Sequence, residues 1–248
     1  MTECKFFESP SGRRLAYVQR EGVGPEVVFL GGFKSDMQGS KALFLEGWAA
    51  KQGRAFLRFD YSGHGQSGGV FEDGAIGDWA QDAVEIITAL TRGPLVIVGS
   101  SMGGWIALLL AKKLPARVHA LVGIAAAPDF TEDSMWADFD DGQRRAVLEE
   151  GQVELPSEYE ESPYIITHRL IEDGREQLVL RAPLSLPFPV RLLQGTNDTS
   201  VKTSVPLRIL DHASGDDMRL TLVKGADHRF STPECLALIE AAVGEVSR

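Results

Sequence analysis

The 248-residue chain predicts an α/β fold: a mostly parallel central sheet covered by helices on both faces. Three observations carry that expectation. Short β-rich apolar runs recur at Val27–Leu30, Ala55–Phe59, Leu95–Val98, Leu121–Ile124 and Val190–Leu193, each bounded by turn residues. They do not alternate polar with apolar, which suits strands buried on both faces of a parallel sheet. Helical stripes stand between them, and strands alternating with helices imply βαβ crossovers around one doubly covered sheet.

Taken in order, Lys5–Glu8 and Arg13–Arg20 read as two strands joined through Ser9-Pro10-Ser11-Gly12, a hairpin turn signal. Trp79, Ala83, Ile86 and Leu90 share a helical face, with Asp78 as the expected N-cap. Trp105–Lys113 reads as a helix following the Leu95 strand directly and stopping before Pro115. Met218–Val223 is the last strand. Leu236, Ile239, Val243 and Val246 form a closing helical stripe, with Ser231 and Glu234 placed as a capping box and Pro233 in the first turn. From Asp129 to about Leu186 the rhythm breaks. That stretch is acidic, holds helical patterns near Gln143–Glu150 and Ile165–Leu180, and is too long for a plain loop. It is expected to be a small helical lid inserted at about 129–186 into a single domain spanning 1–248; a long crossover with no part in the site is the alternative.

Composition narrows the function. At 44% hydrophobic and 24% charged, the chain can bury a core without staples. A net charge of −10 disfavours binding to phosphate backbones, so no nucleic-acid partner is expected. Cys4 and Cys235 have no metal-ligand spacing, so neither a disulfide framework nor a metal site is expected. The opening residues carry an early acid and no apolar h-region, and no apolar run approaches the ~20 residues of a membrane span. The expected setting is cytoplasmic.

The chemistry concentrates at Leu95-Val-Ile-Val-Gly-Ser-Ser101-Met-Gly-Gly-Trp105, where Gly99-x-Ser101-x-Gly103 stands between a buried strand and an apolar helix. A serine on that sharp turn is held in a strained conformation with its hydroxyl above the sheet, and flanking side chains larger than hydrogen would collide. Ser100 lacks small residues at both flanks, which leaves Ser101 as the candidate nucleophile. Among His64, His119, His168, His212 and His228, only His228 follows the last strand and fits the order Ser…Asp…His. His64 sits in a glycine-rich loop expected to shape the pocket wall; the other three read as structural. Asp198, just past the Val190–Leu193 strand, is the candidate acid that would orient the imidazole and stabilise its charged form. Asp129 is the other candidate, and Asp227 adjoins His228 too closely to reach its ring well. Two donors should face a tetrahedral oxyanion: the Met102 N–H and one from Gly31-Gly-Phe33-Lys34-Ser35, with Phe33 preferred and Lys34 next to it.

These motifs resemble the α/β-hydrolase superfamily over essentially the whole chain outside the lid. Gly31–Ala42, Leu57–Gly63, Gly99–Trp105 and Asp227–Arg229 look like a subgroup of α/β-hydrolase domain-containing thioesterases. Members of that subgroup remove palmitoyl groups from protein cysteines and hydrolyse acyl glucuronides. The resemblance implies a two-step hydrolysis of a small-molecule or acylated ester or thioester, with Ser101, Asp198 and His228 as triad and no cofactor. Rival expectations are peptide or carbon–carbon bond hydrolysis on the same triad, or a non-catalytic ligand-binding member. The acyl group, leaving group and oligomeric state stay open.

Overall fold

A computed structural model describes residues 3–156 and 163–248. In chain order the first half holds β1 (Lys5–Glu8), β2 (Arg14–Arg20), β3 (Val23–Leu30), α1 (Ser40–Gln52), β4 (Arg54–Phe59), α2 (Ile76–Leu90), β5 (Leu95–Ser100), α3 (Met102–Lys113) and β6 (Val118–Ile124). The inserted segment follows, with a π-helical turn at Thr131–Trp136, α4 (Asp141–Arg145), another π turn at Ala146–Glu150, β7 (Gln152–Leu155), β8 (Tyr164–Thr167) and α5 (His168–Glu176). The chain ends through β9 (Leu184–Ser185), β10 (Val190–Gly195), α6 (Ser204–His212), β11 (Ala213–Ser214), β12 (Met218–Val223) and α7 (Pro233–Val246).

Eight strands form one sheet in the order β1-β2-β4-β3-β5-β6-β10-β12. The first two pair antiparallel, as the turn signal predicts, and Gly12 at φ 81° donates its N–H to Ser9 O to close the turn. β2 meets β4 antiparallel; every pairing from β4 to β12 is parallel. Successive side chains divide between two cores. Val28 and Leu30 pack with Trp79 and Ile86 of α2 and Ile106 of α3, whereas Val27 and Phe29 pack with Leu45 and Trp48 of α1 and Ile239 and Val243 of α7. Burying each large side chain contributes about 1.5–3 kcal/mol. Both cysteines are free, so this burial and not a crosslink holds the sheet.

The sheet order fixes where a site can form. β3 leads to its neighbour β4 on one side, and the chain then crosses back to β5 on the other. The loops after β3 and β5 therefore diverge from a common crevice at the carboxyl ends of the strands, where open α/β sheets gather ligands.

Three local expectations need correction. The inserted segment is not only helical: β7 and β8 pair antiparallel, Val153 opposite Ile166 and Leu155 opposite Tyr164. Helix α2 starts earlier than its stripe suggested, so Asp78 is its third residue, and its carboxylate accepts the Ala75 N–H from inside the first turn. In α7 the cap is Thr232, whose hydroxyl accepts the Cys235 N–H, with Pro233 directly after it.

Candidate active site

Ser101 sits at the joint between β5 and α3 with φ 55° and ψ −120°, a conformation that L-residues rarely adopt. Its backbone is over-determined: Ser101 N–H donates to Ile124 O at 2.9 Å, and Ser101 O accepts from Gly104 and Ala127. The glycines are steric necessities. A Cβ on Gly99 would lie 2.3 Å from Gly103 O, and one on Gly103 would lie 2.2 Å from Leu30 O. Gly104 is a third such position, where a Cβ would meet that of Ala126 at 2.4 Å.

The structure brings Ser101, His228 and Asp198 together. His228 Nε2 lies 3.1 Å from Ser101 Oγ, and its Nδ1 lies 2.9 Å from Asp198 Oδ2 and 3.1 Å from Oδ1. Nδ1–H donates to the carboxylate, so Nε2 is the acceptor that faces the serine hydroxyl. The Asp198 side chain is fully buried, and its remaining lone pairs are filled by Ser200 N–H, Val201 N–H and Gln194 Nε2. Burial pushes this carboxyl up, but the His228 hydrogen bond and charge, with Val201 and Gln194, hold it below its ordinary range. Gln194 escapes sequence reasoning because nothing in a strand's apolar run marks one polar member as a partner of a residue four positions on.

The other candidates lie elsewhere. Asp129 accepts the Val179 and Leu180 N–H groups and the Arg181 guanidinium, within the inserted segment. Asp227 accepts the Phe230 N–H and so shapes the histidine loop. That loop is tied to α1 by Lys41 Nζ, which donates to Arg229 O. His168 pairs with Glu172 at 3.7 Å, and His212 donates from Nε2 to Ala182 O.

The loop after β3 lies against the serine: a Cβ on Gly32 would approach Ser101 Cβ at 3.4 Å. Ser35 N–H donates to Gly32 O, and Lys34 occupies the left-handed region at φ 54°, the pattern of a type II turn with Phe33 and Lys34 at its centre. Lys34 N–H is taken up by His64 Nε2 at 3.2 Å. Neither Phe33 N–H nor Met102 N–H has a partner among the described residues. A cavity of about 520 Å³ opens over Ser101 and His228, within the usual size of small-molecule sites. Phe33, Ala127, Phe130, Met135 and Tyr164 line it, as do Lys34, Lys41 and Arg229, with Lys34 Nζ 5.3 Å from the centre of the Tyr164 ring.

Known proteins share this architecture. Residues 27–164 match the model of the α/β-hydrolase fold family. The human mitochondrial palmitoyl-protein thioesterase ABHD10 is 33% identical over 246 residues, covering 99% of this chain and 80% of that protein. The solved mouse α/β-hydrolase domain-containing protein 10 superposes with a TM-score of 0.92 at 31% identity, covering 98% of each chain. A crystal structure from Agrobacterium vitis S4, described as a hydrolase, gives 0.96 at 38% identity over the full length of both. Match by family model and by full-length relatives converges on one assignment: this chain belongs to the α/β-hydrolase family, with the ABHD10 thioesterases among its relatives.

Proposed function

We propose that the protein is a serine hydrolase of carboxylic esters and thioesters, working through an acyl-enzyme. One observation carries the reading: an unbroken hydrogen-bond chain from Ser101 Oγ through His228 to Asp198, opening into a cavity. His228 Nε2 takes the Ser101 proton as Oγ bonds to the acyl carbon, and the carbonyl electron pair moves onto oxygen. The unpartnered Phe33 and Met102 N–H groups receive that oxyanion, helped by the N-terminus of α3. His228 then passes its proton to the departing alkoxide or thiolate. In the second half, water gives its proton to His228 and attacks the acyl carbon; the acyl C–Oγ bond then breaks and His228 returns the proton to Ser101 Oγ. Asp198 stays ionised throughout and stabilises the imidazolium.

The cavity suggests the substrate. Phe33, Phe130, Met135 and Tyr164 form an apolar wall for the acyl group, and the last three belong to the inserted segment, which supports its role as a lid on a single domain. Lys34, Lys41 and Arg229 also line the cavity and suit a leaving group with an anionic part, as in an acyl glucuronide. Acyl thioesters are the other class, in keeping with the thioesterase name of the relatives. Two free cysteines support a reducing compartment, and the cytoplasm is our placement, although those relatives are named mitochondrial. Among the described residues no helix is long and apolar enough to cross a membrane.

A panel of esters and thioesters of increasing chain length tests the reading. We expect turnover with a chain-length optimum that moves when Met135 or Tyr164 is replaced by alanine. Panel-wide inactivity of folded protein, or turnover surviving Ser101→Ala, contradicts it.

A further inference from the structure

The glycine-rich loop after β4, Asp60-Tyr-Ser-Gly-His64-Gly-Gln-Ser-Gly68, takes no part in the chemistry above, yet it grips the oxyanion loop at two points. Asp60 Oδ1 accepts the Met37 N–H at 2.6 Å, and His64 Nε2 accepts the Lys34 N–H at 3.2 Å. We infer that His64 is a positioning residue for the oxyanion hole, acting as a neutral acceptor that selects the turn conformation in which Phe33 presents its N–H.

The turn itself explains the need. Gly32–Ser35 is a type II turn, whose third residue must enter the left-handed region and is ordinarily glycine or asparagine. Here that residue is Lys34, whose Cβ disfavours the conformation. Rotation of the Phe33–Lys34 peptide would return Lys34 to negative φ and give the commoner type I turn. That rotation withdraws the Lys34 N–H from His64 and reorients the plane next to the Phe33 N–H. An acceptor fixed on the correct side is therefore what holds this turn, and the acceptor lies outside the turn.

His64 is built to be that acceptor. It is 3% exposed, and its Nδ1–H donates to Ser62 O at 3.1 Å, which leaves Nε2 as an acceptor. The ring is fixed by edge contacts with Tyr61, Phe71 and Trp79 at 5.6, 5.0 and 5.1 Å. Ser62 is anchored in turn: its N–H and hydroxyl both donate to Asp82 of α2, and its carbonyl also accepts the Trp79 indole N–H. Burial lowers the imidazole to about 4, so it stays neutral where a hydrolase works. Two glycines admit the loop, since a Cβ on Gly65 would lie 2.2 Å from Asp60 Oδ2 and one on Gly63 would lie 2.7 Å from Phe71 Cα.

This inference rests on the proposed oxyanion role of Phe33. Its test compares parent, His64→Phe and His64→Gln on one activated ester and against a boronic acid that mimics the tetrahedral intermediate. Phenylalanine keeps the ring contacts and deletes the acceptor; the Oε1 of glutamine can stand where Nε2 stands. We expect His64→Phe to lose about 10–100-fold in kcat, less than outright loss of an oxyanion donor, with KM little changed. Boronic acid affinity should fall in step, and His64→Gln should recover most of both. A His64→Phe enzyme of parental kcat and boronic acid affinity, or a His64→Gln enzyme as poor as His64→Phe, overturns the inference. Without any variant, ¹⁵N NMR of the parent at neutral pH should find His64 protonated at Nδ1 and bare at Nε2; a proton on Nε2 also overturns it. Failure of a fluorophosphonate to label Ser101 in the parent sinks the hydrolase reading and this inference together. A labelled parent beside an unimpaired His64→Phe sinks the inference alone.

Discussion

Asp129 and Asp198 follow neighbouring parallel strands, β6 and β10, at the same edge of the sheet, and neither side chain is exposed to solvent. Their surroundings set them to opposite tasks. Asp129, at φ 59°, accepts Val179 and Leu180 N–H from the far end of the inserted segment, while its own carbonyl accepts from Glu132 and Asp133 at the near end. It staples the segment's two ends together. Asp198 takes the Ser200 and Val201 N–H groups on Oδ1 and Gln194 on Oδ2, and receives His228 Nδ1 between the two oxygens. Burial raises the Asp129 carboxyl despite its donors and Arg181, whereas the donors on Asp198 outweigh burial and lower it. A carboxylate at the carboxyl end of a strand thus acquires its role from the donors that reach it.

The sharpest way to break this comparison is to neutralise each aspartate in turn. Asp198→Asn should cut kcat on the order of 10⁴, as the same change does in the triad of a serine protease, because the amide favours the wrong imidazole tautomer. Asp129→Asn should leave kcat within about threefold while lowering stability by about 1–3 kcal/mol, since one buried N–H loses its acceptor and Arg181 its counter-charge. Steady-state kinetics and urea midpoints separate the two. A crippled Asp129→Asn beside a near-normal Asp198→Asn would reverse the assignment. Gln194→Ala is milder: three donors remain on Asp198, so kcat should fall by less than about tenfold and stability by about 1 kcal/mol.

Acid titration sharpens the same contrast by sign. Asp198 has its folded pKa below the unfolded value, so its contribution is complete above about 4 and is lost as pH falls through the folded value. Asp129 is raised on folding, so the parent should gain on Asp129→Asn as pH falls from that raised value toward about 4. Urea midpoints of parent and both variants between roughly pH 3 and 7 should therefore diverge in opposite directions. Parallel curves would mean that the two carboxylates share one environment.

Much of this was legible in the chain. The five core strands declare themselves because a strand buried on both faces shows an apolar run without polar alternation, interrupted here only by the buried Arg58 and Arg191, and the serine turn does so because Gly99 and Gly103 leave no room for a Cβ. What stayed hidden depends on contacts distant in sequence. Helix α1 has Gly39 before it and Gly47 within it, and its buried Ala42, Leu45, Trp48 and Ala49 are few for its length. Strands β7 and β8 are four residues each and half-exposed, and Ile165 and Ile166 extend a helical stripe on paper while their β-branched side chains pair across a hairpin. The grip of His64 on Lys34 spans 30 residues, and no spacing rule encodes it.

The central claim is that Ser101 is the activated nucleophile, and covalent capture tests it most directly. Parent, Ser101→Ala and Ser100→Ala are treated with a fluorophosphonate probe and the modified peptide is mapped by mass spectrometry. One adduct is predicted, on Ser101, present in the parent and Ser100→Ala and absent from Ser101→Ala. An adduct that persists in Ser101→Ala and disappears in Ser100→Ala would contradict it.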